Sequence, residues 1–167
     1  EGGKYTTSRM LAENCLKVVA AKLKRDLGRS TTDRHRLAGC DIPDLAAFLF
    51  TVQRDNRDFG GATLEYLSRN YGTDYADILA LARDNNALAE VLNADGEIMA
   101  EVLYAIRHEM ARTLSDIVLR RTGIGTLGNP GKAMIDKIAS LAAGMMGWSE
   151  KRKEDEIASL MKVYDLF

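Results

Sequence analysis

Between Glu97 and Thr122 the apolar residues Ile98, Val102, Ile106, Met110, Leu114, Ile117 and Val118 succeed one another at steps of four, four, four, four, three and one. That spacing draws one stripe along an α-helix, or along two helices in near-continuous succession; a strand, with its period of two, cannot carry it. Glu101, Arg107, His108, Arg112, Ser115 and Arg120 fall off the stripe and are expected on its polar side. Arg112, Asp116 and Arg120, spaced by four, share a ridge and read as a solvated ion-pair ladder. Ile106, in mid-stripe, is expected in the core, and His108 outside it.

The same helical spacing extends to both sides. Residues 1–28 open with Gly2-Gly3 and hydroxyl residues, Thr6 or Thr7 serving as N-cap. A helix then runs to about Leu27, with Leu11, Cys15, Val18, Val19 and Leu23 on one face, until Gly28 stops it. Residues 29–41, RSTTDRHRLAGCD, are polar and aperiodic and read as a linker loop. From residue 42 onward, Pro43-Asp44 begin one helix and a second follows to Tyr71. Gly72 and Thr73 then act as stop and start. After Thr122 a glycine-rich loop, Gly123 to Gly131, leads to a helix carrying Met134, Ile138, Leu141 and Met145. Gly147 ends it, and Trp148-Ser149 begin the last helix. The chain is therefore expected to be all-α: a bundle-like domain of about six to eight helices over residues 42–167, with one helix ahead of it.

Composition excludes several functions. With 46% apolar residues and a formal net charge of −1, the chain is globular and has no basic field to draw nucleic acid. No apolar run reaches the roughly 18 residues of a membrane span. Cys15 and Cys40 are too few for a disulfide framework, and Cys15 is expected as a small core residue. No metal site is expected. In His108-Glu109-Met110-Ala111-Arg112 the arginine stands where a zinc motif needs its second histidine. Asn93-Ala94-Asp95-Gly96 resembles the middle of a calcium loop, but Val91 and Val102 would occupy its first and twelfth positions. Gly123-Ile124-Gly125-Thr126-Leu127-Gly128 spells a dinucleotide fingerprint, yet a helix precedes it where a strand is required. The basic run Lys151-Arg152-Lys153 is cancelled at once by Glu154-Asp155-Glu156 and reads as a solvated helix face.

The opening GGKYTTSR is the one stretch with the makings of a ligand site. A glycine pair permits close approach, the following helix start directs N–H groups outward, and Lys4 and the threonines add a cation and hydroxyls. This segment is similar to the Gly-Gly-Lys-x-Thr-Thr-x-Arg segment of FAD-dependent glycerol-3-phosphate dehydrogenases. EVLYAIRHEMARTLSDIVLRRTGIGTL and GWSEKRKEDEIASLMK resemble the carboxy-terminal helical domain of the same enzymes. Together these resemblances span nearly the whole chain.

The resemblance implies that the parent oxidises sn-glycerol 3-phosphate to dihydroxyacetone phosphate, with hydride passing to FAD and electrons to a quinone. An oxygen-reducing glycerol-phosphate oxidase is the alternative, and a stand-alone helical interaction module is the alternative of another class. Carried over, Lys4 matches a substrate-side lysine, and Gly2, Gly3, Lys4 and Thr6 match flavin-side positions; Ser8 stands where that family commonly has tyrosine. The family's flavin fingerprint, catalytic histidine and remaining substrate arginines have no counterpart here, so no catalytic residue is assigned. Beginning at Glu1, the chain is expected to be a piece of a longer protein, residues 1–28 closing a flavin-domain segment and residues 42–167 packing on it. On its own it is expected to be inactive. The expected location is cytoplasmic, with the parent peripheral on the inner membrane.

Overall fold

The computed structural model describes residues 4–165; the expected ligand positions Gly2 and Gly3 lie outside them. Among the described residues the chain is helical, and its extended pairing is a single isolated bridge between Val91 and Ile98. A 3₁₀ turn, Tyr5–Thr7, leads into α1 (Ser8–Leu23). Then follow α2 (Leu45–Asp55), α3 (Gly61–Tyr71), α4 (Tyr75–Asp84) and α5 (Met99–His108). α6 starts as Leu114–Asp116 and widens into a π turn over Ile117–Arg121; α7 (Lys132–Met146) and α8 (Glu150–Tyr164) complete the chain.

The helix boundaries have local causes. Asp44 caps α2 by accepting the Ala47 N–H at 3.0 Å, and Ser149 caps α8 by accepting the Arg152 N–H at 3.2 Å. Gly72 and Gly147 end α3 and α7 at positive φ, 56° and 66°. α1 stops earlier than Gly28 suggests: Lys24 turns left-handed (φ 51°) and its N–H closes on the Ala20 and Ala21 carbonyls.

The central stretch is two helices with a sharp break. Met110 takes φ 59°, a left-handed conformation costly for any residue with a Cβ, and lies 74% exposed. The break resets the phase of the stripe. Ile98, Val102, Leu114, Ile117 and Val118 are buried, whereas Met110 points outward and Ile106 is only half-buried at the edge of the core. Asp116 is also more than a rung in a ladder. Its carboxylate accepts the N–H groups of Arg112 (3.1 Å) and Thr113 (3.0 Å), while the Thr113 hydroxyl accepts the Asp116 N–H. This reciprocal capping box starts α6, and only Arg120 adds a side-chain ion pair, at 2.8 Å. From the far end of the chain Glu156, buried and paired with Arg152 at 2.6 Å, accepts the Leu114 N–H at 2.9 Å. The acidic run of α8 is therefore partly a cap for α6, not a wholly solvated face.

α5 is the axis of the bundle. It packs on α4, on the 3₁₀ turn Asn86–Ala89, on α7 and on the π turn, and Met99 to Ala105 are all buried. α1 is the opposite case: it buries no residue, and Leu11, Leu16, Val18, Val19 and Leu23 are exposed. Cys15 is exposed with them, against its expected place in the core. The apolar face expected from the spacing is thus left without burial among the described residues.

Burial makes the contrast measurable. Ile98→Ala is expected to lower unfolding free energy by about 2–4 kcal/mol, the range for emptying a core site, while Leu16→Ala stays within about 0.5 kcal/mol. Urea midpoints of the two variants check this; equal losses would put α1 in the core.

Candidate functional site

α5 carries one acid among its buried residues, and that acid organises a polar cluster inside the bundle. Glu101 is fully buried, with Glu97 one turn before it 1% exposed. Glu101 Oε1 accepts the Ile98 N–H at 2.8 Å, satisfying a donor at the start of α5. Its other oxygen accepts the Tyr71 hydroxyl at 2.9 Å. Glu97 accepts the Tyr66 hydroxyl at 2.6 Å and, on its second oxygen, the Asn93 amide. Two tyrosines of α3 thus reach two carboxyls at the head of α5.

Local folding puts these groups in place. The Glu90 and Glu97 carbonyls accept the Met99 and Leu92 N–H groups, folding residues 90–99 back on themselves. Asn93 closes the turn by accepting the Asp95 and Glu97 N–H groups. Gly96 (φ 98°) lies so close to α3 that a Cβ there would come within 2.6 Å of the Ala62 and Thr63 backbone. Asn93 to Gly96, a near miss for a calcium loop, is therefore the buttress that positions Glu97. The loop after α6 closes the other side. A Cβ on Gly123 would lie 2.6 Å from the Tyr66 hydroxyl and 2.9 Å from Glu97 Oε1. One on Gly125 would lie 2.2 Å from the Tyr164 hydroxyl, which donates to the Gly125 carbonyl at 3.2 Å. These glycines serve close approach between packed groups rather than a phosphate.

The electrostatics follow from burial. Loss of water pushes the Glu101 carboxyl up to about 8; the Ile98 N–H and Tyr71 hydroxyl oppose the rise, and the charges of Glu97 and Glu109 add to it. Burial also raises Tyr66 and Tyr71, with the neighbouring carboxylates adding to the shift, so both phenols remain neutral donors. Glu109, just beyond α5, is raised by burial and by Asp74, against the pull of Arg121 and His108; its Oε2 is buried without a hydrogen-bond partner. Tyr104 joins the cluster edge to face with Tyr71 and stacks on exposed His108.

This cluster was missed because Glu101 sits off the apolar stripe. The signal was its company: in Met99-Ala-Glu-Val-Leu-Tyr-Ala the glutamate is the only charge in a seven-residue helical stretch apolar nearly all round, and such stretches are buried on every side. The site expected from sequence lies elsewhere. Lys4 is exposed with extended backbone, its carbonyl accepting the Thr7 hydroxyl at 3.0 Å, and Thr6 is exposed in the 3₁₀ turn before α1. Lys4 and Thr6 therefore share one exposed helix start, remote in sequence from the carboxyl cluster. Among the described residues no group of three or more His, Cys, Asp or Glu side chains could hold a metal ion, and no helix is long and apolar enough to cross a membrane.

The family model for the C-terminal domain of alpha-glycerophosphate oxidase matches residues 30–153. A glycerol-3-phosphate dehydrogenase of Synechocystis is 29% identical over 93% of the chain and 28% of its own length. One from Mycobacterium leprae is 27% identical over 95% of the chain and 27% of its own. An alpha-glycerophosphate oxidase of Streptococcus pyogenes is 31% identical over 93% of the chain and 27% of its own. The chain thus spans about a quarter of the length of these curated relatives.

Two outcomes follow from the cluster. Glu101 holds its proton in the folded state between its ordinary range near 4.5 and about 8, and gives it up on unfolding. Its contribution is fully present below that window and is lost as pH rises through about 8. Urea midpoints are expected to fall from pH 5 to pH 9, by on the order of a few kcal/mol in stability, and Glu101→Gln to flatten the fall. Gly123→Ala is expected to cost about 1–3 kcal/mol by forcing Tyr66 and Glu97 apart; an unchanged melting midpoint would contradict the close packing.

Proposed function

The chain belongs to the family of the C-terminal domain of alpha-glycerophosphate oxidase, and from that membership we propose that it is the carboxy-terminal helical domain of a flavin-dependent glycerol-3-phosphate dehydrogenase. The observation that carries this reading is the family match over residues 30–153, supported by relatives that cover 93–95% of the chain. The family match begins after α1, whereas the relatives' coverage is too great to leave α1 out. With the uncovered apolar face of α1, this supports a division in which residues 1–28 close the flavin domain. Residues 29–41 then link, and residues 42–167 form the helical domain that packs on it. The same uncovered face argues against a stand-alone helical module, which would have to leave it in water.

In this reading the parent oxidises sn-glycerol 3-phosphate to dihydroxyacetone phosphate, with FAD as hydride acceptor. This chain's contribution is confined to its start. Lys4, at an exposed helix opening, fits one edge of an anionic substrate: its charge would hold the phosphate and favour the negative charge that the hydride acceptor gains. Thr6, beside it, would offer a hydroxyl to the flavin edge, and the resemblance assigns Gly2 and Gly3 to the same side. The parent would pass electrons to a quinone, working in the cytoplasm and touching the inner membrane from its surface. The oxygen-reducing alternative draws support from the Streptococcus pyogenes relative, itself named an oxidase; hydrogen peroxide released during turnover by the full-length protein would favour it.

The test belongs in the full-length parent. Lys4→Ala is expected to lower kcat/KM for glycerol 3-phosphate at least about tenfold, roughly 1.4 kcal/mol, with flavin content near normal. The isolated chain is the control, and FAD added to it should elute free from gel filtration. An unchanged kcat/KM in a fully flavinated variant would remove Lys4 from the site, and flavin retained by the isolated chain would overturn the assignment of the flavin contacts to residues upstream.

A further inference from the structure

The chain enters the bundle at a fixed point. Gly39 and Gly72, at φ 74° and 56°, press backbone on backbone, and the Gly39 carbonyl accepts the Thr73 N–H at 3.0 Å. A Cβ on either glycine would collide with the opposing segment. The Asp74 carboxylate lies beside this clasp and accepts the Tyr104 hydroxyl at 3.4 Å, and the Tyr104 ring stacks on His108 with centroids 4.7 Å apart. The end of α5 and the break after it therefore stand on the side from which the chain arrives.

That break carries groups the bundle itself does not use. The Glu109 and Ala111 N–H groups both close on the Ala105 carbonyl, at 3.2 and 3.1 Å, and Met110 between them holds φ 59°, a conformation that ordinarily goes to glycine. The Met110 side chain is 74% exposed, so its packing in the bundle does not offset the backbone cost. Glu109 is half-buried, and its Oε2 is sealed without a hydrogen-bond partner among the described residues; Arg121 and His108 act on it through charge alone. Arg107, His108, Arg112 and Arg121 are exposed, against Glu109 and Asp74, with Asp116 already matched by Arg120. Arg107 and His108 also suit the C-terminal end of α5, but that role requires neither the strained methionine nor the carboxylate without donors. We propose that this face docks the helical domain against the upstream, flavin-binding part of the parent: Met110 enters an apolar socket, carboxylates opposite receive Arg107 and Arg112, and a donor meets Glu109. The inference rests on reading the chain as a domain of that parent. Two observations select the occupant: the curated relatives are about four times as long as the chain, and the Gly39–Gly72 clasp delivers the chain to this side. Methionine and arginine at a strained, net-positive surface are what such a contact uses.

Hydrogen exchange of the full-length parent beside the 167-residue chain tests the face. Amides of Arg107–Arg112 are expected to exchange at least about tenfold more slowly in the parent, while those of Asn86–Asp95, at the opposite end of α5, keep their rates. Met110→Gly separates docking from folding. It should not lower the urea midpoint of the isolated chain, because glycine takes the left-handed conformation freely, yet it should remove the added protection in the parent. A parent that carries flavin and oxidises glycerol 3-phosphate but shows no added protection at Arg107–Arg112, or equal protection at Asn86–Asp95, overturns the docking face alone. A lowered midpoint in Met110→Gly, or protection that survives it, does the same. A parent without flavin overturns the reading of the chain and with it the occupant.

Discussion

The structure depends on a helix buried on every side. α5 has neighbours all round, and a helix so placed can keep a carboxyl only if each of its oxygens finds a donor inside. Glu101 finds one in the Ile98 N–H and one in the Tyr71 hydroxyl. Those two bonds tie the start of α5 to the end of α3, and the parallel pair of Glu97 and Tyr66 repeats the device a turn earlier. The glycines at 96 and 123 serve the same packing: a Cβ at 96 would press on the α3 backbone, and one at 123 on the Tyr66 hydroxyl and the Glu97 carboxyl. A polar pair worth little at the surface here dictates loop geometry on both sides of the core.

Capping across long distances is the second organising element. α6 is short and widens into a π turn, yet it begins with a local capping box and an imported acceptor, Glu156 from α8. The imported bond fixes where α8 crosses α6, so the carboxy-terminal helix is positioned by a carboxylate as much as by Leu160 in the core. The break at Met110 allows this arrangement: α6 leaves the line of α5, and its N-terminus turns towards α8. A single continuous helix over residues 97–122 could not have offered that terminus.

α1 belongs to a different set of contacts. Its apolar residues recur at helical spacing, but none of its residues is buried, and its start carries Lys4 and Thr6. Beside relatives about four times its length, the chain has the character of a helical bundle preceded by a helix whose apolar face is exposed. The carboxyl cluster and the Lys4 corner are accordingly separate: one is buried inside the bundle, and the other is an exposed helix start.

Local chemistry was legible in the sequence because its causes are local. The all-α class, the caps at Asp44 and Ser149, the stops at Gly72 and Gly147 and the buried positions Ile98, Val102, Leu114, Ile117 and Val118 follow from spacing and from which residues tolerate a helix end. The family was legible too, because its motifs retain polar residues that periodicity alone does not require. Tertiary structure decided whatever depends on a partner distant in the chain. Glu101 and Glu156 are charged residues off an apolar stripe, and only the arrival of Tyr71 and of the Leu114 N–H makes them interior groups. Cys15 and its neighbours show the converse: helical spacing marks an apolar face, but burial belongs to a pair of surfaces, and among the described residues that face stays exposed.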